Sequence, residues 1–271
     1  MTPLKRLLNG LAADAAVLVE IVATQGSAPR EAGTWMAVFA DRLVGTIGGG
    51  RLEFDATAEA RATLAGGSPD AGARRYALGP SLGQCCGGVV HLRYTRVAAK
   101  DIARLRTELA GHATPVALFG GGHVGSALAR VLASLPFELT WIDSRDQIFP
   151  AVIAQGDAEP VCEHSDPVHA AVPMLAPQSR VLIMSFSHAE DLDVVAACLL
   201  RQRQRGDLPF IGLIGSCTKW ATFRSRLEAR GFTENELAAV TCPIGVPGIG
   251  GKEPEVIAVA VAAQLLQTLP V

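Results

Sequence analysis

Two cysteines stand side by side, Cys85 and Cys86, in the run Leu82-Gly-Gln-Cys-Cys-Gly-Gly88. A thiolate is both a soft metal ligand and a nucleophile, and glycines on either side let a bulky group approach the backbone. Three familiar thiol chemistries fail on spacing or context. Zinc sites and redox motifs both prefer C-x-x-C, and these cysteines are adjacent. Gly83-x-Cys85-x-Gly87 superficially fits a nucleophile elbow, but that elbow needs strand–turn–helix, and "VVHLRYT" after it reads as a strand. Two readings stay open: thiol chemistry at a soft metal centre or on sulfur, and a pair of buried structural thiols.

Two glycine-rich turns offer anion chemistry. In "VALFGGGHVG", Gly120, Gly122 and Gly125 fit G-x-G-x-x-G between a predicted strand and a predicted helix. A second strand ends at Asp143, about 20 residues on, where the fingerprint places an acid for a ribose 2′-hydroxyl. Here the first glycine permits a tight turn, the second lets a diphosphate approach, and the third lets helix and strand pack. These four residues are the nucleotide-binding candidates, with NAD(P) or another nucleotide as the ligand. Asp143 favours NAD over NADP, although Arg145 stands close by. The second turn, Gly48-Gly49-Gly50 in "GTIGGGRLEFD", presents backbone N–H groups suited to a phosphate or another anion. Glu53 falls in the helical turn that follows, where the helix dipole alone also favours a carboxylate.

Other polar clusters read more plainly. Ser187, His188 and Asp191 are too close in sequence for a hydrolase triad and read as site lining or a helix cap. Lys219, at a helix start, reads as a phosphate contact or a solvated lysine. "GIGGKEPE" is not a P-loop, since Val246 and Glu253 stand where that motif needs glycine and Ser/Thr.

The elements that must hold these residues fall into two groups. Residues 1–97 read as an α+β unit: strands in "AVLVEIVATQG", "TWMAVFADRLVG", "RRYAL" and "GGVVHLRYTRV", and a helix in "RLEFDATAEARATLAG". The cysteine pair then lies in a loop between two strands. Residues 98–114 read as a polar helix and connector. From 115 to 271, apolar strands alternate with helices, the pattern of a Rossmann-type parallel sheet with helices on both faces, closed by a Gly/Pro-rich loop and a helix with Pro254 in its first turn. The fold class expected is α/β.

With 49% hydrophobic and 18% charged residues the 271-residue chain is globular, and a formal net charge of −2 without basic blocks argues against nucleic-acid or membrane-surface binding. The N-terminal stretch lacks the apolar core and cleavage site of a secretion signal, so a cytoplasmic location with six reduced cysteines is expected. A homodimer is expected only because homo-oligomers are common.

Taken together, "GSAPREAG", "GTIGGGRLE", "LGQCCGG", "LFGGGHVG", "WIDSR", "SFSHAEDLD", "IGLIGSCTKWATFRSRL" and "CPIGVPGIGGKEPEVIAVAVAAQLL" resemble the xanthine dehydrogenase accessory protein family, XdhC and the related CoxI, from about residue 26 to the C-terminus. The last stretch is closer to the xanthine dehydrogenase branch than to the carbon monoxide dehydrogenase branch. The resemblance implies an N-terminal domain carrying Gln-Cys-Cys-Gly-Gly and a C-terminal Rossmann domain. It also implies a chaperone without turnover of its own. Such a protein binds molybdenum cofactor (molybdopterin), supports its sulfuration with a cysteine desulfurase, and delivers it to the molybdenum-binding subunit of xanthine dehydrogenase. On that reading Cys85 or Cys86 contacts molybdenum or its labile sulfur, Gln84 hydrogen-bonds nearby, and Gly48, Gly49, Gly50 and Glu53 form another wall of the cofactor site. The competing readings are an NAD(P)-dependent oxidoreductase and a nucleotide-sensing Rossmann protein.

Overall fold

The computed structural model describes residues 3–66, 72–79, 87–109, 113–150 and 160–269, and the chain divides into two compact units, Thr2–Ala110 and Gly111–Val271. In the first unit, strands β1 (Ala16–Gln25), β2 (Trp35–Val38), β3 (Leu43–Gly45), β4 (Arg74–Ala77) and β5 (Val89–Val97) form an antiparallel sheet in the order β3-β2-β1-β5-β4. A tight turn at Asp41-Arg42 joins β2 to β3, and the Phe39 N–H closes it onto the Arg42 carbonyl at 2.9 Å.

The sheet is covered on both faces, and the period-two alternation of β1 explains how. Val17, Val19 and Ile21 pack with Leu52, Ala56 and Ala60 of helix α2 (Gly50–Leu64). Ala16 and Leu18 pack on the other side with Leu7 and Leu11 of α1 (Pro3–Leu11) and Leu105 of α3 (Ile102–Glu108). The segment 98–110, expected as part of a connector, therefore belongs to the first unit, because burying Leu105 docks α3 there.

The second unit holds β6 (Thr114–Phe119), β7 (Phe137–Asp143), β8 (Val161–His164), β9 (Arg180–Ile183), β10 (Phe210–Leu213) and β11 (Val240–Thr241). Every neighbouring pair is parallel, in the order β11-β10-β9-β6-β7-β8. This is the doubly wound Rossmann order, whose two halves meet between β6 and β9. Val116 and Leu118 bury against α4 (His123–Leu132) and α8 (Pro254–Leu266); Ala117 and Phe119 bury against α5 (His188–Arg205) and α6 (Cys217–Ala229). Pro254 opens α8 as its position predicted. Between β8 and β9 the crossover is a 3-10 segment, Val168–Met174, rather than an α-helix, and the short α7 (Glu234–Leu237) and two-residue β11 carried no sequence signal. No helix among the described residues is long and apolar enough to cross a membrane.

The glycine fingerprint has three separate steric reasons. Gly120 has φ 119°, and a β-carbon there would overlap the Met184 carbonyl oxygen at the neighbouring end of β9. A β-carbon at Gly125 would overlap the Gly120 carbonyl, so the third glycine seats α4 on the turn. Gly122 faces open space. Gly120→Ala is accordingly expected to cost about 3 kcal/mol, overpacking and left-handed backbone together. Gly122→Ala should cost less than about 1 kcal/mol. Denaturant unfolding of the two variants against the parent measures the difference.

Candidate functional site

In the first unit the sequence motifs meet at one end of the sheet. β1 ends at Gln25, paired with Val89 at the start of β5, and the chain continues through Gly26-Ser27-Ala28-Pro29. Gly88 is buried, and a β-carbon there would overlap the Ser27 carbonyl oxygen; only glycine lets this backbone lie against residues 26–27. The Leu78 N–H donates to the Gly88 carbonyl at 2.7 Å, one step beyond the Ala77–Val89 pair of β4 and β5. Both ends of the cysteine-bearing segment are therefore fixed at the sheet. Gln84, Cys85 and Cys86 themselves lie outside the described residues.

The Gly48–Gly50 turn sits against the same loop. A β-carbon at Gly48 would stand 2.7 Å from Pro29 Cβ, and three successive positive φ values (119°, 74°, 66°) lead into α2. The Gly48 and Gly49 N–H groups are already engaged. The Glu53 carboxylate accepts from the Ile47 N–H at 3.0 Å, the Gly49 N–H at 3.1 Å and the Thr46 hydroxyl, while the Gly48 N–H donates to Thr46 Oγ1 at 3.1 Å. The anion that this turn holds is its own glutamate. Glu53 thus shapes the turn, and its bound oxygen is turned to the backbone.

In the second unit, Asp143 ends β7 with 1% exposure. Its carboxylate accepts from the Gly121 N–H at 2.5 Å and from the Arg145 N–H, Nε and Nη2 at 2.9 Å each. Burial pushes its pKa upward, but the Arg145 guanidinium and the two backbone N–H groups outweigh that and hold the carboxyl below its usual range. Ser144 Oγ donates to Glu190 Oε1 at 2.6 Å, and the Arg145 guanidinium lies over the Phe186 ring at 4.6 Å. Ser187 caps α5 by accepting from the Glu190 N–H, which places His188 and Asp191 on a helix start and confirms the cap reading.

Asp191 and Lys219 correct an expectation. Lys219 is neither a phosphate contact nor a solvated lysine: its ammonium donates to Asp191 Oδ2 at 2.6 Å and to the Ile214 carbonyl at 2.8 Å, with 12% and 3% side-chain exposure for the pair. Asp191 Oδ1 meanwhile accepts from the Ser185 N–H at 2.7 Å. Cys242 lies beside this pair, its sulfur 3.3 Å from where a β-carbon on Gly215 would be, and burial pushes its thiol up to about 11. A cavity of about 190 Å³ opens next to it, walled by Ile214, Gly215, Ile244, Val246, Val256 and Ile257. Sequence reasoning missed this cluster, although Gly215, Lys219 and Cys242 follow strand ends, where α/β ligand sites form. Cys162, Cys198, Cys217 and Cys242 are unbridged, and among the described residues no group of three or more His, Cys, Asp or Glu is placed to hold a metal.

Comparison with known proteins places both units in one family. Residues 11–77 match the model of the XdhC and CoxI family, and residues 116–265 match the XdhC Rossmann domain. The chain is similar to the YqeB protein of Escherichia coli K12, described as uncharacterized, with 26% identity over 253 residues. That match takes in 92% of this chain but 43% of YqeB, so the chain spans less than half the length of this curated relative. A crystal structure from Bacillus halodurans, described as a xanthine dehydrogenase, shares the fold with a TM-score of 0.78 at 19% identity, over 99% of this chain and 96% of that one.

The depressed pKa of Asp143 fixes a sign. A carboxyl ionised more readily in the folded than in the unfolded chain adds stability above its unfolded value of about 4, and that share is lost as pH falls through the lower folded value. Asp143→Asn should lower stability at pH 7 by about 2 kcal/mol and flatten the acid limb. Thermal unfolding between pH 7 and pH 3 reads both.

Proposed function

Because this chain belongs to the XdhC and CoxI family, we propose that it is an accessory protein that carries molybdenum cofactor as cargo and supports its sulfuration before delivery to xanthine dehydrogenase. The donor of sulfur in this reading is a cysteine desulfurase, and the receiver is the molybdenum-binding subunit. The observation that carries the proposal is the close packing of Gly88 on the Ser27 carbonyl. It brings the 26–29 loop and the stem of the cysteine segment together at one end of one sheet, and the approach of Gly48 to Pro29 adds the Gly48–Gly50 turn.

The chemistry of the cargo agrees with the residues gathered there. Its molybdenum accepts sulfur ligands, so a thiol beside it can hold the metal or its exchangeable sulfur. Its pterin is broad and flat, which glycine-bordered backbone accommodates. In this proposal Cys85 or Cys86 contacts the molybdenum centre or its sulfur and Gln84 hydrogen-bonds the ligand. Gly48, Gly49 and Gly50 supply surface. Glu53 acts one step back as a positioning residue, because its carboxylate is held by Ile47 and Gly49.

Cys85→Ala, Cys86→Ala and the double variant, purified anaerobically and passed through gel filtration, test the direct contact. Molybdenum and oxidised-pterin fluorescence per chain should fall at least about tenfold in the double variant, the loss expected when roughly 1.4 kcal/mol or more of contact disappears. Unchanged retention in all three would remove the thiols from the site. Glu53→Gln keeps the shape of the side chain but loses its charge, and should weaken retention less than the double variant does.

A further inference from the structure

The Rossmann order and glycine turn of the second unit imply a dinucleotide, yet the residues at the crevice are engaged with one another. In such a site the ribose diol lies on the acid at the end of the second strand. The diphosphate lies on the glycine turn, and the ligand crosses the end of the first strand toward the fourth. Here these strands are β7, β6 and β9.

Asp143 occupies the position of the ribose-binding acid, but its acceptor capacity is spent. A carboxylate offers about four lone-pair sites, and four N–H groups point at this one: Arg145 Nε and backbone N on Oδ1, Arg145 Nη2 and Gly121 N on Oδ2. Arg145 puts one side-chain donor on each oxygen, the pattern in which a vicinal diol would present its two hydroxyls. The guanidinium is charged and forked, so its grip on a carboxylate is stronger than that of neutral hydroxyls.

The neighbours of Arg145 continue the obstruction. β6 lies between β7 and β9 in the sheet. The contacts Ser144–Glu190 and Arg145–Phe186 join the end of β7 to the segment after β9, and so pass over the end of β6. The Phe186 N–H donates to Glu190 Oε2 at 3.1 Å, which ties the two contacts together. Ile148 fills the space above Gly121, where a β-carbon would meet its side chain at 2.8 Å. Gly122 alone stays open, at the diphosphate end.

We propose that Arg145 stands where the ribose diol of a dinucleotide would bind, and that it closes this Rossmann crevice to NAD(P). The glycine fingerprint then serves the packing of β6, β9 and α4, and the domain is a scaffold closed by its own side chains. This inference is independent of the cofactor-carrier reading, which concerns the other unit.

Titration of the full chain with NAD⁺ and with NADP⁺, by calorimetry and by saturation-transfer NMR, tests it. The parent should show no saturable binding up to about 1 mM, the weak limit of ordinary recognition. Arg145→Ser, which frees both oxygens of Asp143, should bind NAD⁺ saturably, at least about tenfold more tightly than the parent. Arg145→Lys keeps the charge without the fork, guards against a serine variant that fails to fold, and should give a smaller gain. Saturable binding by the parent would overturn the proposal. So would folded variants, verified by circular dichroism, that remain as silent as the parent. Pterin retention by the parent is unaffected in either case, so failure here is distinguishable from failure of the carrier reading.

Discussion

Carboxylates that hold backbone N–H groups of tight turns organise both units. A glycine-rich turn costs more conformational entropy to order than any other segment of equal length. Charge-assisted hydrogen bonds offset that cost where no ligand does so. Glu53 does this for Ile47 and Gly49, Asp143 for Gly121, and Asp191 for Ser185. In the second unit these contacts join. Asp143 and Arg145 tie β7 to the turn after β6 and to Phe186 beyond β9, and Asp191 and Lys219 tie the segment after β9 to Ile214 after β10. One network fastens the carboxyl ends of four parallel strands, which is the end where this fold class places its ligands.

The same interaction changes what the glycine motifs signify. Successive N–H groups in left-handed turns are attractive to any anion, and a phosphate and a glutamate satisfy them alike. The spacing of glycines therefore identifies a turn that wants an anion without identifying which anion it has. Glu53 lies only four residues past Gly49, in the first turn of α2, and its carboxylate reaches the turn before any exogenous group could. Asp143 reaches Gly121 from 22 residues away because β6 and β7 are adjacent and in register, with Phe119 opposite Ile142.

Much of the fold is legible because its signals are local. The alternation in β1 assigns Val17, Val19 and Ile21 to one face and Ala16 and Leu18 to the other. The strand–helix alternation after residue 114 and the Gly120–Gly125 spacing lead directly to a doubly wound sheet. What stays illegible depends on distant partners. Lys219 at a helix start reads as solvated until Asp191, 28 residues earlier, is brought beside it. Ile102, Leu105 and Leu109 look like scattered apolar residues in a polar stretch, and only their packing with Leu7 and Leu11 assigns residues 98–110 to the first unit. β11 is two residues long, too short for any period to register. The spacing of Gly48–Gly50 and Glu53 marks a glycine turn leading into a helix but not their mutual engagement, since spacing places Glu53 near the turn without saying which way its oxygens face.

Commitment of the acids to backbone divides the roles that side chains can take. An acid whose two oxygens both hold N–H groups, as those of Asp143 do, can bind an outside ligand only by releasing the turn it orders, and each released, buried N–H costs about 1–3 kcal/mol. Asp143 is thus expensive to recruit as a direct ligand, and changes at either Asp143 or Glu53 act first on the shape of a turn. A thiol carries no such commitment: its hydrogen bonds are weak, and its value lies in metal and sulfur chemistry. The strand ends that flank the adjacent thiols are fixed at Leu78 and Gly88, and a thiol's own chemistry is suited to metal and sulfur. The carrier reading accordingly gives contact with the cargo to Cys85 or Cys86 on the chemistry of the thiol, and gives Glu53 the task of holding a wall.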